Sequence, residues 1–177
     1  MKRVLFMLIL ILLLPLPVKK CLAVDTRELA IKAAYLFRLS LFVDWPAEKI
    51  SPSGSGNIRF CIAGGKEIAE TIKNVLSGKT ISRHEIETVG VDPKAELKDC
   101  HLLYVTKNTK AEDLFLQAVA NYPVLTVGET ERFYRQGGMV LLFEKENRIF
   151  FAINRQAADR ARIKFGAQLL NLAEQYP

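Results

Sequence analysis

Short apolar runs that alternate with helical segments constrain the fold of this chain more than any other feature. Runs typical of buried strands occupy residues 57–63, 100–106 and 123–128. Helical patterns lie between them at 66–76 and 111–120. Because helices that connect strands in this alternation cover the faces of a parallel sheet, the pattern predicts an α/β fold.

The remaining segments complete the predicted sheet. Residues 79–91 alternate loosely and indicate an edge strand, while 139–144 and 148–153 indicate a hairpin. A helix is predicted over 155–175, where apolar residues recur at helical spacing. We therefore expect one Rossmann-like domain with a mostly parallel sheet of five or six strands flanked by helices, ending in an antiparallel hairpin and a long final helix.

The N-terminal segment has the pattern of a secretory signal peptide. Lys2 and Arg3 precede an apolar run over 4–17, and Ala23 offers a small residue for cleavage. This run is shorter than the roughly 20 residues that a membrane-spanning helix needs, although a retained anchor is the competing interpretation. We expect a signal peptide at 1–23 and an exported domain at 24–177, periplasmic and soluble after cleavage.

Removing that segment changes the charge balance. The chain has 25 basic and 19 acidic residues, and four of the basic ones but none of the acidic ones lie within 1–23. The exported domain would keep 21 basic residues and a net charge of about +2. This weak balance does not predict a nucleic-acid partner, since such proteins carry a pronounced basic surface.

Two cysteines remain in the exported domain, Cys61 and Cys100. An even number of cysteines in an oxidising compartment is a disulfide candidate. If the strands at 58–63 and 100–106 are neighbours in a parallel sheet, the two side chains lie close together. A bridge that closes about 40 residues would contribute roughly 3 to 4 kcal/mol in the loop-entropy treatment. The alternative is a pair of buried free cysteines.

The first helix of the exported domain, predicted over 26–43, is unusually apolar. Between Ala30 and Val43 only Lys32, Arg38 and Ser40 are polar. A helix that is apolar on nearly all sides is either enclosed in the core or covered by another chain. If the second applies, the candidate surface for a partner or a dimer consists of the aromatic and leucine side chains Tyr35, Leu36, Leu39, Phe42 and Trp45.

A glycine turn between a strand and a helix is the strongest candidate for a ligand site. Gly64-Gly65 lacks the flanking residues of a phosphate-binding loop, because Phe60 and Glu67 stand where glycine and a hydroxyl residue would be needed. Exposed amides at the helix start could still hold an anion, although a tight turn explains the glycines as well. The candidate anion residues are Gly64, Gly65, Arg132 and Arg135.

Catalytic and metal-binding patterns find little support. His84 and His101 are the only histidines, and neither has a partner at ligand-like spacing. No nucleophile elbow of the G-x-S-x-G kind occurs. We therefore expect no enzyme activity, no catalytic residue, no metal and no cofactor.

Four segments in consistent order resemble the YfiR family, periplasmic proteins built on a domain of unknown function. These segments are YLFRLSLFVDWP (35–46), CHLLYV (100–105), VLTVGETERFYRQGGMVLLF (124–143) and FAINRQAADRARIKFGAQLLNLAE (151–174). The resemblance covers nearly the whole exported domain. The cysteine pattern of the family is also matched, at Cys61 and Cys100.

The resemblance implies a homodimeric, non-catalytic periplasmic protein. A protein of this family represses an inner-membrane diguanylate cyclase by binding its periplasmic region, which lowers cyclic di-GMP output and biofilm formation. Redox state is linked to release of that repression. A similar sensor protein could replace the cyclase as the partner. The competing function is a periplasmic receptor for a small molecule or an anion, without a cyclase partner.

Overall fold

A computed structural model describes residues 26–50 and 56–176; the predicted signal peptide lies outside these residues, as does most of the loop at 51–57. The elements in chain order are α1 Thr26–Leu41, β1 Val43–Asp44, β2 Ile58–Ala63, α2 Lys66–Leu76, β3 Thr80–Ile81, β4 His84–Gly90, β5 Leu102–Val105, α3 Glu112–Val119, β6 Leu125–Gly128, α4 Glu131–Arg135, β7 Val140–Lys145, β8 Arg148–Ile153, α5 Arg155–Arg160, β9 Lys164–Phe165 and α6 Ala167–Leu172.

The described residues form a seven-stranded mixed sheet in the order β3-β4-β2-β5-β6-β7-β8, with β1 and β9 paired separately. The five strands from β4 to β7 in this order are parallel neighbours. The outer strands β3 and β8 run antiparallel to β4 and β7. Numbered by chain order, the parallel strands lie 2-1-3-4-5, which differs from the 3-2-1-4-5 order of the dinucleotide-binding Rossmann sheet.

Successive residues of the parallel strands serve the two faces of the sheet in turn, as the pleat requires. Phe60 and Ile62 belong to one apolar cluster, which also contains residues of α1, α2, α5 and α6. Cys61 and Ala63 belong to the other, with Phe115 of α3 and Phe133 of α4. Because both faces are covered, the strands are apolar almost throughout, and this is why the sequence showed them as continuous runs.

Two strand predictions need correction. Residues 79–91 do not form one strand, because Ser82 and Arg83 adopt positive φ angles and fold the segment into the β3–β4 hairpin. The sheet consequently has seven strands rather than five or six. The C-terminal hairpin is confirmed, with β7 and β8 paired from Val140 to Ile153.

The prediction of one long final helix over 155–175 was also wrong. The helix that begins at Arg155 ends at Arg160, because Arg162 adopts a φ of 59° and the amide of Ile163 donates to the Ala158 carbonyl, 2.9 Å away. Ile163 then enters the core, and β9 pairs with β1 before α6 begins after Gly166. Burial of Ile163 and pairing with β1 therefore override helix propensity, and Gly166 was the sequence signal for this break.

Candidate binding groove

An apolar groove runs between α1, β8 and α6, with a volume of about 570 Å³. Helix α1 forms one wall, the first half of β8 forms the other, and α6 contributes two leucines. The groove is lined by Ile31, Ala34, Tyr35, Arg38, Leu39, Phe42, Arg148, Ile149, Phe150, Phe151, Leu169 and Leu172.

The spacing of residues on α1 explains why an apolar wall remains open. Leu29, Ala33 and Leu36 follow one another at intervals of three or four residues and are buried in the core. Ile31 lies on the opposite side of the helix, and Phe42 follows directly after its last residue. Their side chains are 43% and 38% exposed, respectively. A helix that is apolar on nearly all sides thus covers the core with one side and leaves the other uncovered.

Tyr35 connects the two walls of the groove by a hydrogen bond and a ring contact. Its hydroxyl donates a hydrogen bond of 2.6 Å to the carbonyl oxygen of Ile149, 114 residues further along the chain. The Tyr35 ring meets that of Phe151 edge to face, with 6.3 Å between centroids. These contacts hold α1 and β8 at a set separation, so the groove is formed before anything binds.

Among the described residues, the charged ones that line the groove are two arginines, Arg38 on α1 and Arg148 on β8. The guanidinium carbon of Arg148 lies 5.7 Å from the centroid of the Phe150 ring, within the range of a cation–π contact. Within 26–50 and 56–176, no carboxylate lines the groove. The site therefore combines apolar side chains with positive charge.

The five residues of the predicted partner surface do not lie together in the structure. Tyr35, Leu39 and Phe42 line the groove. Leu36 and Leu39 are both buried in the core, with 0% and 1% of their surface exposed, so neither offers surface to a partner. Trp45 lies elsewhere, because its indole nitrogen donates a 3.2 Å hydrogen bond to the carbonyl oxygen of His101.

Several residues of the groove were missed from the sequence. In the sequence, Arg38 is one of three polar residues in an otherwise apolar helix, and an arginine in that setting is a signal for a charged site. Phe150 and Leu172 carried no such signal, since they looked like members of a hairpin and of a helix. Their part in the groove depends on how β8 and α6 pack beside α1.

A cluster of charges with Lys32 and Glu129 at its buried centre involves the N-terminal half of α1. The ammonium group of Lys32 is 2.5 Å from a carboxylate oxygen of Glu28 and 2.9 Å from one of Glu129. The hydroxyl of Tyr104 also donates to Glu129. Lys107 adds its backbone amide to Glu129 and its ammonium group to Glu28. Each charge in the cluster has an opposite partner, as burial requires.

The pKa values in this cluster reflect that pairing. Burial lowers the pKa of Lys32, but its hydrogen bonds to Glu28 and Glu129 outweigh burial and raise it above 10.5. The hydrogen bond from Lys32 is the main reason that the pKa of Glu28 falls below 4.5. Burial, reinforced by Glu129, raises the pKa of Tyr104 well above 10.0. Around neutral pH, Lys32 and Glu28 are therefore charged, and the Tyr104 hydroxyl keeps its proton.

The candidate anion residues have other roles in the structure. A Cβ atom on Gly64 would lie 2.6 Å from the Thr106 side chain, and Gly65 has a φ of 91°, so both glycines are explained by the turn. Arg132 lies 3.9 Å from Asp113, and Arg135 lies 3.1 Å from Glu131. Both arginines thus already have a carboxylate neighbour.

The cysteine pair forms a disulfide between Cys61 and Cys100, with 5.9 Å between the Cα atoms. Cys61 lies on β2, and Cys100 comes just before β5, which pairs with β2 in parallel. Next to it, His101 accepts a hydrogen bond from the Arg59 amide at Nδ1 and donates one to the Lys49 carbonyl from Nε2. Burial lowers the pKa of His101 below 6.5, which favours this neutral form.

The described residues contain neither a membrane-spanning helix nor a cluster of metal-binding side chains. Across 26–50 and 56–176, none of the helices combines the length and the apolar character needed to cross a bilayer. Within the same ranges, His, Cys, Asp and Glu side chains do not assemble into a group of three or more that could hold a metal ion.

The fold and the groove together define a mixed α/β domain with an apolar and cationic surface left open. The chain belongs to the YfiR/HmsC-like family, whose family model matches residues 29–174. Membership in this family implies a regulatory periplasmic domain rather than a catalytic one. Among curated proteins, none matches the chain closely enough to be named as a relative.

Proposed function

We propose that this protein is a periplasmic regulator that represses a membrane-bound diguanylate cyclase by binding the periplasmic region of that enzyme. Repression would lower cyclic di-GMP output and biofilm formation. Membership in the YfiR/HmsC-like family supports the regulatory role. The open groove beside α1, which is lined by the accessible side chains of Tyr35 and Phe42 from the expected partner surface, is the observation that carries the proposal.

Repression of this kind requires binding that depends on the state of the enzyme. A regulator shifts an equilibrium only as far as its affinity differs between the two states of its target. The groove suits that task, because apolar surface exposed in only one state of the cyclase would find a complementary surface here. Part of the same surface could serve a homodimer, which the family resemblance also implies.

Export is part of the same proposal. Residues 1–23 would direct the chain to the periplasm, and cleavage would leave residues 24–177 as the functional domain. The Cys61–Cys100 disulfide agrees with an oxidising compartment. The mass of the protein isolated from the periplasm tests the cleavage directly, since an intact chain there would contradict it.

Capture of a candidate cyclase tests the docking surface. The periplasmic region of the cyclase would be captured with wild-type protein and with Ile31→Asp and Leu172→Asp, two changes at exposed groove residues. Leu114→Asp is the matched control, because Leu114 is 49% exposed and lies on α3, outside the groove. Leu36→Asp would be uninformative, since Leu36 is in the core and a carboxylate there would unfold the protein.

The two groove variants are expected to weaken capture about thirtyfold, the change that corresponds to a binding hot spot of about 2 kcal/mol. The control should bind like wild type. Thermal unfolding of all four proteins should show that each is folded. Equal capture by the groove variants and wild type would rule out this groove as the docking surface.

The groove also favours a second candidate function, a receptor for a small molecule. Its volume of about 570 Å³ falls within the range of roughly 300 to 1,000 Å³ that small-molecule sites occupy. Binding of a ligand by the isolated protein, with no cyclase present, separates this function from the first.

A further inference from the structure

The arginines of the groove differ from four of the eight other arginines that the structure describes. Arg59, Arg132, Arg135 and Arg162 each have a carboxylate oxygen within 4 Å. In the part of the chain that the structure describes, Arg38 and Arg148 form no ion pair with a carboxylate. From this charge pattern and the apolar lining, we infer that the groove binds an amphipathic carboxylate with an alkyl chain of medium length.

The apolar part of such a ligand matches what the groove leaves exposed. Ile31, Phe42 and Leu172 are large apolar side chains, exposed by 43%, 38% and 71%, and all three line the groove. Along α1, the stretch from Ile31 to the helix end at Leu41 extends over about 15 Å at 1.5 Å per residue, and Phe42 follows it. An elongated alkyl chain laid along this wall would remove these side chains from water.

The charged part of the ligand follows from the two guanidinium groups. Arg38 and Arg148 come from opposite walls, so a carboxylate placed between the walls could accept hydrogen bonds from either. A neutral headgroup would gain no charge-assisted hydrogen bond, and an ammonium group would be repelled. The lining contains no carboxylate that would offset this preference.

The groove requires little rearrangement before it can bind. The hydrogen bond from Tyr35 to Ile149 and the contact of Tyr35 with Phe151 join its walls. A site already held in its binding geometry loses less free energy to ordering when a ligand arrives.

A second copy of this chain fits the groove less well than a carboxylate ligand. A two-fold interface places the same surface on both subunits, so a dimer centred on the groove would bring Arg38 and Arg148 of each copy towards one another. No acidic residue of the lining would offset their repulsion. Charge complementarity therefore favours a negatively charged occupant. The inference needs no partner protein, and it rests on the second candidate function, a small-molecule receptor, whose ligand class it names.

The experiment measures binding of three ligands by titration calorimetry on the purified protein. Decanoate is the probe, and decanol and decylammonium are its neutral and cationic counterparts with the same chain. The variants are Arg38→Gln/Arg148→Gln and Leu172→Asp. Arg155→Gln is the control, because Arg155 is exposed on α5 and does not line the groove.

Decanoate is expected to bind wild type with one site per chain, about tenfold more tightly than decanol, as charge-assisted contacts predict. Decylammonium should bind more weakly still. The double arginine variant should bind decanoate and decanol equally, and Leu172→Asp should weaken both. Arg155→Gln should behave like wild type.

Three results would overturn the inference. Equal affinity of wild type for decanoate and decanol would show that the arginines select nothing. If Arg155→Gln lost as much affinity for decanoate as the double arginine variant, the effect of charge would be non-specific. If wild type did not bind decanoate, the groove would be assigned to a protein partner instead of a carboxylate ligand. Sedimentation would then identify a second copy of the chain if wild type is dimeric and Leu172→Asp is monomeric.

Discussion

Helix α1 carries a positively charged side chain on each of two sides, and only one of the two charges is paired with carboxylates. On the inner side, Lys32 is buried and contacts the carboxylates of Glu28 and Glu129. On the groove side, Arg38 is exposed and has no carboxylate among the residues that line the groove. One charge is already neutralised within the protein, whereas the other is available to something outside it.

The difference shows which polar residues hold the fold and which are left for recognition. Burying a charge without a partner costs several kcal/mol, so the carboxylates around Lys32 are needed for stability. An exposed arginine has no such cost, and its guanidinium keeps water as its partner until a ligand replaces it. We therefore expect changes at the inner cluster to affect unfolding, and changes in the groove to affect binding.

The largest expected effect is the substitution Lys32→Met. Methionine has a similar length but leaves Glu129 buried without its cation, so the free energy of unfolding should fall by about 3 kcal/mol. Arg135→Met is the matched control, since it removes an exposed pair with Glu131 and should cost less than about 0.5 kcal/mol. Urea denaturation of the three proteins measures both changes.

A double variant, Lys32→Met with Glu129→Leu, makes the test stricter. Replacing both partners by apolar residues removes the uncompensated charge, so the double variant should be more stable than Lys32→Met alone. If Lys32→Met is no less stable than Arg135→Met, the buried ion pairs of Lys32 contribute no more to the free energy of unfolding than an exposed pair. The proposed difference between the two sides of α1 would then be wrong.

The sequence predicted the elements of this contrast better than their arrangement. Apolar runs identified β2, β5 and β6, and their expected parallel pairing brought Cys61 and Cys100 together as the structure shows. Lys32 and Arg38 looked alike as isolated cations in an apolar helix. Nothing local distinguishes them, because their different roles depend on Glu129 and on β8, which are distant in the chain and reach α1 only in the folded domain.

The same limitation explains the error at the C-terminus. Periodic apolar residues over 155–175 favoured a single helix, but burial of Ile163 and the pairing of β9 with β1 divide it into α5 and α6. This break places Leu169 and Leu172 in the groove. A continuous helix would have been the better local solution, so tertiary packing decides the structure there.

A smaller effect is expected from acid. The hydrogen bond from Lys32 holds the pKa of Glu28 below 4.5 in the folded protein. A carboxyl group with a lowered pKa contributes stability above its unfolded pKa, and that contribution is lost as the pH falls through the folded value. Wild type should therefore lose stability faster below pH 4.5 than Glu28→Gln does. Urea denaturation at a series of pH values measures both slopes, and parallel slopes would contradict the role of Glu28.

The smallest expected effect on stability lies in the groove. Arg38→Gln should change the free energy of unfolding by less than about 0.5 kcal/mol, because it removes no ion pair with a carboxylate and leaves no buried group without a partner. Thermal and urea unfolding measure this change, with Lys32→Gln as the control, since glutamine there places an uncharged group between Glu28 and Glu129. A loss in Arg38→Gln as large as that in Lys32→Gln would mean that Arg38 supports the fold. Its missing carboxylate would then no longer indicate a ligand.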